Sequence, residues 1–223
     1  MTSHPEWGTR TKATEAATAF SAQIKNRYVL ITGLTRNSLG EAAALAIAAQ
    51  GPALLILASR TPANLDYVAR EIASVRPSTA VATVQLDLLS QASVRRAAAA
   101  IRRLAPRLDV LVNNAGVMTR ARRTSPEGIE AQFAINHVGP DLDEEGNAAI
   151  AGTAKDWKSP DEGASTVIVA AFDPALNEPS GSFLSDCQFY EPPPYATDPE
   201  IADRLWSLSE DLVKEKFDLP SKL

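Results

Sequence analysis

The sequence predicts an α/β protein with a doubly wound parallel sheet, incomplete after its fourth strand. Three observations predict it. Short apolar runs recur without polar alternation, helix-like stretches separate them, and the regular rhythm breaks near residue 140. Apolar runs without alternation suit strands buried on both faces, as in a parallel sheet. Their alternation with helices implies right-handed βαβ crossovers.

The elements follow in order. Residues 1–26 are polar and Ala/Thr-rich, and read as an N-terminal arm or a first helix. A Rossmann-type unit is expected over residues 27–139. Its strand runs are Tyr28 to Thr32, Ala53 to Ala58, Val81 to Leu88 and Leu108 to Val112. Between them lie the helical stretches Gly40–Gln50, Ala63–Val75 and Gln91–Leu104. Leu65, Val68 and Ile72 share one face at helical spacing. Pro126–Gly139 reads as a helix that Pro140 stops. Residues 140–163 are acidic, broken by Gly and Pro, and read as a linker. Residues 164–219 read as a helix-strand-helix remainder. Ala164–Ala171 is ambiguous between strand and helix, although Pro160-Asp-Glu-Gly before it suits a helix start. Ser182–Cys187 reads as a late strand, and Ile201–Phe217 as an amphipathic helix with Leu205, Leu208, Leu212 and Val213 on one side. Residues 220–223 form a tail.

Composition bounds the function classes. The 223 residues suffice for one sizeable α/β domain and are too few for two. The net charge of -5 repels nucleic acid and anionic membrane, so neither is the expected partner. No run approaches the ~18 apolar residues of a membrane span. The N-terminus has no apolar stretch and is not expected to act as a secretory signal. The single cysteine, Cys187, fits a reducing compartment and reads as a small core residue. Ser221-Lys222-Leu223 spells a receptor-read peroxisomal address. The peroxisome is therefore the expected location, with its import receptor as a partner and the cytoplasm as the alternative.

The turn Thr32-Gly33-Leu34-Thr35-Arg36-Asn37-Ser38-Leu39-Gly40 lies between the first strand and its helix. A bound phosphate needs a tight turn there, close backbone approach and free N–H groups at a helix N-terminus. Gly33 and Gly40 supply the first and last glycines, and Asn37 and Ser38 stand where further glycine is expected. A Gly-poor turn also serves as an ordinary strand-helix loop; its position after the first strand favours the nucleotide role. At the end of the second strand, an acidic residue would select NAD through the ribose 2′-hydroxyl. Ser59-Arg60 stands there instead, with Arg36 available in the turn. Two guanidinium groups favour a 2′-phosphate, hence NADP(H).

The order and spacing of Thr32-Gly33…Gly40, Asp87-Leu88, Asn113-Asn114-Ala115-Gly116 and Phe133-Ala-Ile-Asn136-His-Val-Gly139 resemble the short-chain dehydrogenase/reductase family, and its retinol-dehydrogenase-like group most. The resemblance runs from about residue 26 to 139, with a second similar stretch from Asp156 to Phe217. It implies an oxidoreductase of carbonyls and secondary alcohols on a small metabolite. It also implies that Gly33, Ser38, Leu39 and Gly40 line the pyrophosphate, and that Asp87 accepts from the adenine amino group beside Leu88. Asn114, Ala115 and Gly116 would pass under the nicotinamide-side ribose, and Asn136 would hold a water of the proton relay. Asn113 and Asn114 also suit a purely structural role.

The family's proton transfer uses a serine and Tyr-x-x-x-Lys. Four residues after Tyr28, Tyr67, Tyr190 and Tyr195 stand Thr32, Glu71, Pro194 and Pro199, so no tyrosine is followed by the lysine. The block of family sequence expected after Gly139 is absent. Asn136 is the relay member left, and His137, Tyr190 and Tyr195 are the candidate replacement acids. Three functions stay open: an impaired NADP(H) oxidoreductase, a non-redox pseudoenzyme or partner subunit keeping the cofactor fold, and a shortened form of an active chain. The missing block leaves two possibilities for the sheet: Ser182–Cys187 pairs with the fourth strand, or that strand's edge stays open.

Overall fold

The computed structural model describes residues 1–118, 123–136, 158–177 and 181–217. His137 and the tail with Ser221-Lys222-Leu223 lie outside the described residues, as does most of the expected linker.

Four parallel strands form the central sheet in the order β3-β2-β1-β4: β1 Tyr28–Thr32, β2 Leu54–Ser59, β3 Val81–Gln85 and β4 Val110–Val112. The register aligns Leu30 with Ile56 and with Leu111. Strands β1 and β2 are buried almost throughout, which is why they read as unbroken apolar runs. The third and fourth runs are shorter than expected. Val81 to Leu88 is a strand only to Gln85, and Leu108 to Val112 only from Val110.

Helices cover both faces. On one lie α1 Ala13–Ala19, α3 Leu39–Ala48, α4 Pro62–Val75 and α7 Pro160–Phe172, with Val29, Ile31, Leu55 and Leu57 from the sheet. On the other, α5 Gln91–Leu104 sets Ala97 against Leu30, Ile56, Ala58 and Val84. A short α2, Ser21–Ile24, leads into β1. Among the described residues no helix is long and apolar enough to cross a membrane.

Residues 1–26 are not a loose arm. Trp7, Phe20 and Ile24 are buried, and α1 packs on α3 and α7 through Ala13, Ala16 and Ala17. The segment is also pinned to the far end of the chain. The Ser3 N–H and hydroxyl donate to the Asp173 carboxylate, and the Gln188 amide donates to the carbonyls of His4 and Trp7.

The second half departs further from expectation. The linker boundary at 163 is wrong, because Pro160–Gly163 already belong to α7. Ser159 caps that helix in a reciprocal capping box with Glu162, and Pro160 takes the first helical position, where its missing N–H costs nothing. The ambiguous stretch Ala164–Ala171 is therefore helix. Pro126–Gly139 is not one helix: α6 spans Ala131–Asn136. Before it, Ser125 Oγ accepts from the N–H of Glu127 and Ile129, closing a turn in which Gly128 takes φ +84°.

Ser182–Cys187 does not join the sheet. It holds a two-residue strand, β5 Leu184–Ser185, paired antiparallel with β6 Gln188–Phe189. Asp186 and Cys187 turn the hairpin at φ 51° and 65°. Among the described residues nothing pairs with the outer edge of β4, and Leu111 is 50% exposed there. Among the described residues, the open-edge possibility is the one realised. The last helix, α8, is Pro199–Val213 rather than Ile201–Phe217, and none of its residues is buried.

Candidate functional site

The C-terminal ends of β1, β2 and β4 meet the start of α3 at an open cleft of about 430 Å³. Ligands of open α/β sheets bind outside these strand ends, where the chain order reverses. The reversal falls between β1 and β4.

Gly33 makes the turn out of β1 possible. Its φ is +76°, and a Cβ placed there would come within 2.4 Å of the Ala115 Cα. Gly40, buried in the first turn of α3, works differently: a Cβ would meet the Asn114 Nδ2 at 2.6 Å and the Gly33 oxygen at 2.9 Å. Neither glycine tolerates a side chain, so the backbones at the ends of β1 and β4 approach closely. Asn114 welds them, its Nδ2 donating to the carbonyls of Thr32 and Gly33, both at 2.9 Å. Thr32 Oγ1, deeply buried, accepts from the Ala115 N–H. The structural role of Asn114 is thus present alongside its place in the cleft wall.

Ser38 is the N-cap of α3, its hydroxyl accepting from the Glu41 N–H. The buried Glu41 carboxylate reaches back to accept from the Asn37 N–H. The Leu39 and Gly40 N–H groups have no protein partner among the described residues. They are the free donors that a phosphate takes at a helix N-terminus. Leu39 lines the cleft and lies against Gly163, so α7 backs this wall.

At the end of β2, Ser59 and Arg60 line the cleft, followed by Thr61 and Asn64 at the start of α4. Ser59 is only 7% exposed, and its hydroxyl has no hydrogen-bond partner among the described residues. The Thr61 side chain caps nothing, although Thr61 is the N-cap of α4. Beside them, where the Leu86 N–H donates to the Ser59 carbonyl, Asp87 and Leu88 also line the cleft. Asp87 is set by its own turn, accepting from the Leu89 N–H while its N–H donates to Ser93 Oγ. Arg60 and Asp87 are the charged residues in the lining.

The site therefore gathers Gly33, Ser38, Leu39, Arg60, Asp87, Leu88, Asn114, Ala115 and Gly116 around one space. Three expected residues stand differently. Gly40 acts behind the wall. Arg36 lies outside the lining, its guanidinium 5.2 Å from the centre of the Tyr67 ring. Asn136 pairs with Val117 and does not line the cleft: its Oδ1 accepts from the Val117 N–H and its Nδ2 donates to the Val117 carbonyl. Tyr190 and Tyr195 are exposed and do not line the cleft. Thr61 and Asn64 join the lining without having been expected from the sequence. Thr61-Pro62 was a helix-start signal that could have placed both. Among the described residues, no group of acidic, His and Cys side chains could hold a metal ion.

With this geometry in place, the chain can be compared with known proteins. The sequence model of the family described as short chain dehydrogenase matches residues 27–141. Oxidoreductase fscI of Fusarium equiseti is 41% identical over 130 residues, covering 58% of this chain and 50% of that protein. Retinol dehydrogenase 13 of Homo sapiens is 36% identical over 126 residues, covering 56% of this chain and 38% of that protein. A solved short chain dehydrogenase from Mycobacterium smegmatis aligns over 45% of this chain and 41% of its own, at 25% identity and a TM-score of 0.41. The chain spans half or less of the length of these curated relatives. Members of the family bind NAD or NADP. Since the family model covers just over half of the sequence, and its residues are those that build the cleft, the chain belongs to the short chain dehydrogenase family of oxidoreductases.

Proposed function

We propose that the cleft binds NADP(H), and that this chain alone is a poor carbonyl reductase. The observation that carries the cofactor reading is the end of β2, where Arg60 lines the cleft beside Ser59 and no acidic residue stands. An acidic residue at this place would accept from a free 2′-hydroxyl; a guanidinium and hydroxyls instead suit a 2′-phosphate. The free N–H groups of Leu39 and Gly40 would hold the pyrophosphate, and Asp87 would accept from adenine. When bound, the cofactor supplies hydride for a carbonyl or takes it from a secondary alcohol.

The reduced activity follows from what the residues offer. A carbonyl oxygen gaining charge needs a proton donor, worth roughly 10²–10⁴ in rate, and a polarising group, worth roughly 10²–10³. No tyrosine in the sequence is followed by a lysine four residues on. A binding protein or partner subunit that keeps the cofactor fold is the second reading, and the same observation favours it.

Titration of NADPH and NADH fluorescence tests the cofactor reading. NADPH should bind more tightly, and Arg60→Asp should remove about 1–3 kcal/mol of that preference, as loss of charged hydrogen bonds does. Equal affinities in the unaltered protein refute it. In parallel, NADPH oxidation against a panel of ketones and aldehydes should stay near background. Robust turnover abolished by Tyr190→Phe or Tyr195→Phe would instead identify a replacement acid.

A further inference from the structure

The β1–α3 turn contains a cation that the cleft does not yet use. Arg36 is exposed, sits in sequence between the lining residues Thr35 and Ser38, and makes no ion pair among the described residues. Its guanidinium rests on the face of the Tyr67 ring. Tyr67 lies one turn after Asn64 on α4, and residues three apart on a helix share a face. Asn64 lines the cleft beside Arg60. The ring therefore sets the Arg36 charge at the Arg60 end of the cleft rim.

How the cation is held matters. An ion pair would occupy the in-plane N–H donors and neutralise the charge. A ring grips the guanidinium by its face and leaves its donors for another acceptor. Tyr67 itself is half-buried, and burial first, then the Glu41 and Glu71 carboxylates, raise its hydroxyl's pKa, while Arg36 opposes them.

We propose that Tyr67 is a positioning residue, holding Arg36 at the cleft rim as the second cation for the 2′-phosphate of NADP(H). This rests on the NADP(H) reading above. Its test is the ratio of NADPH to NADH affinity, measured by fluorescence titration on the full chain. NADH lacks the 2′-phosphate, so a merely structural defect weakens both cofactors and leaves the ratio unchanged. Tyr67→Leu and Tyr67→Gln, one apolar and one polar, should each lower the preference for NADPH by about 2–5-fold, the worth of an exposed cation–π contact. Tyr67→Phe keeps the ring and should keep the ratio. In an Arg36→Gln background, either Tyr67 substitution should change nothing further. A ratio untouched in the folded Leu or Gln variant, or lost equally in Tyr67→Phe, overturns the role of Tyr67 while leaving the cofactor reading standing. Equal NADPH and NADH affinities in the unaltered protein overturn both.

Discussion

The two long helices of the C-terminal half, α7 and α8, reverse what their sequences advertise. Helix α8 has the cleaner stripe, with Leu205, Leu208, Leu212 and Val213 on one side and charges on the other, yet none of its residues is buried and Leu208 is 50% exposed. Helix α7 has no tidy stripe, and buries Ala164, Ser165, Ile168, Val169 and Phe172 against α1 and α3. The lesson is that amphipathic spacing describes what a helix could cover, whereas burial depends on whether a matching face is supplied. α7 finds one in the small-residue surface of Ala13, Ala16 and Ala17 on α1 and Ala43, Ala44 and Ile47 on α3. Small side chains let helices approach closely, so a helix apolar nearly all round fits there.

The contrast is broken most directly by truncating one residue in each helix. Ile168 is fully buried in α7, so Ile168→Ala should destabilise by about 2–5 kcal/mol, through lost burial and a cavity that packed neighbours cannot fill. Leu208→Ala in α8 should stay within about 0.5 kcal/mol. Urea unfolding of the two variants beside the unaltered protein decides it. Similar costs at both positions would mean that α8 covers apolar surface after all.

The same logic explains how much was legible beforehand. Strands β1 and β2 were readable because parallel strands buried on both faces leave continuous apolar text, and the glycine turn was readable because Gly33 and Gly40 answer local steric demands. The hairpin at Asp186-Cys187 was not. Tight two-residue turns with positive φ ordinarily announce themselves by Asn-Gly or Asp-Gly, and a cysteine at φ 65° gives no such signal. The packing of residues 1–26 was hidden for another reason. Its buried helix face is alanine, which looks like polar-arm filler until a partner helix is known. At the site, the residues along β-strand ends could be placed by order, but the engagement of Asn136 with Val117 and of Arg36 with Tyr67 depends on side-chain directions that no spacing encodes.

Strand β4 carries the comparison into the sheet, since it is anchored at its start and, among the described residues, open along its outer edge. Asp109 anchors it. Its carboxylate accepts from the Tyr28 N–H and from Arg107, both at 2.8 Å, with Arg27 at 3.5 Å. The Tyr28 N–H first, then Arg107 and Arg27, hold its pKa below the ordinary value against a smaller opposing effect of burial. A carboxyl depressed in the folded state binds fewer protons there than in the unfolded chain. Its stabilisation is therefore complete above the unfolded pKa of about 4, and disappears as pH falls through the lower folded value. Asp109→Asn should lower the melting temperature at pH 7, and the gap to the unaltered protein should close as pH is taken below 4. A gap independent of pH would assign the effect to shape rather than charge.

The smallest effect concerns how α8 is tied to the body. Arg95 on α5 meets Glu215, just past the C-terminus of α8, at 2.7 Å, with both side chains about half exposed. An exposed pair of this kind is worth about 0–1 kcal/mol, because solvent and salt screen it and two long side chains must be ordered to make it. Glu215→Gln should therefore shift the melting temperature slightly at low ionic strength and less in about 1 M salt, where the screening length of about 3 Å is comparable to the pair's own separation. The expectation extends to hydrogen exchange. With no buried residue to hold it, α8 should open locally at little free-energy cost and exchange its amides far faster than α3 or α7. The Glu215 substitution should speed that exchange further, more in low salt than in high. Protection of α8 amides comparable to α7, or a loss at Glu215 that persists undiminished in high salt, would show that the helix docks on more than this one pair and would erase the difference between the two helices.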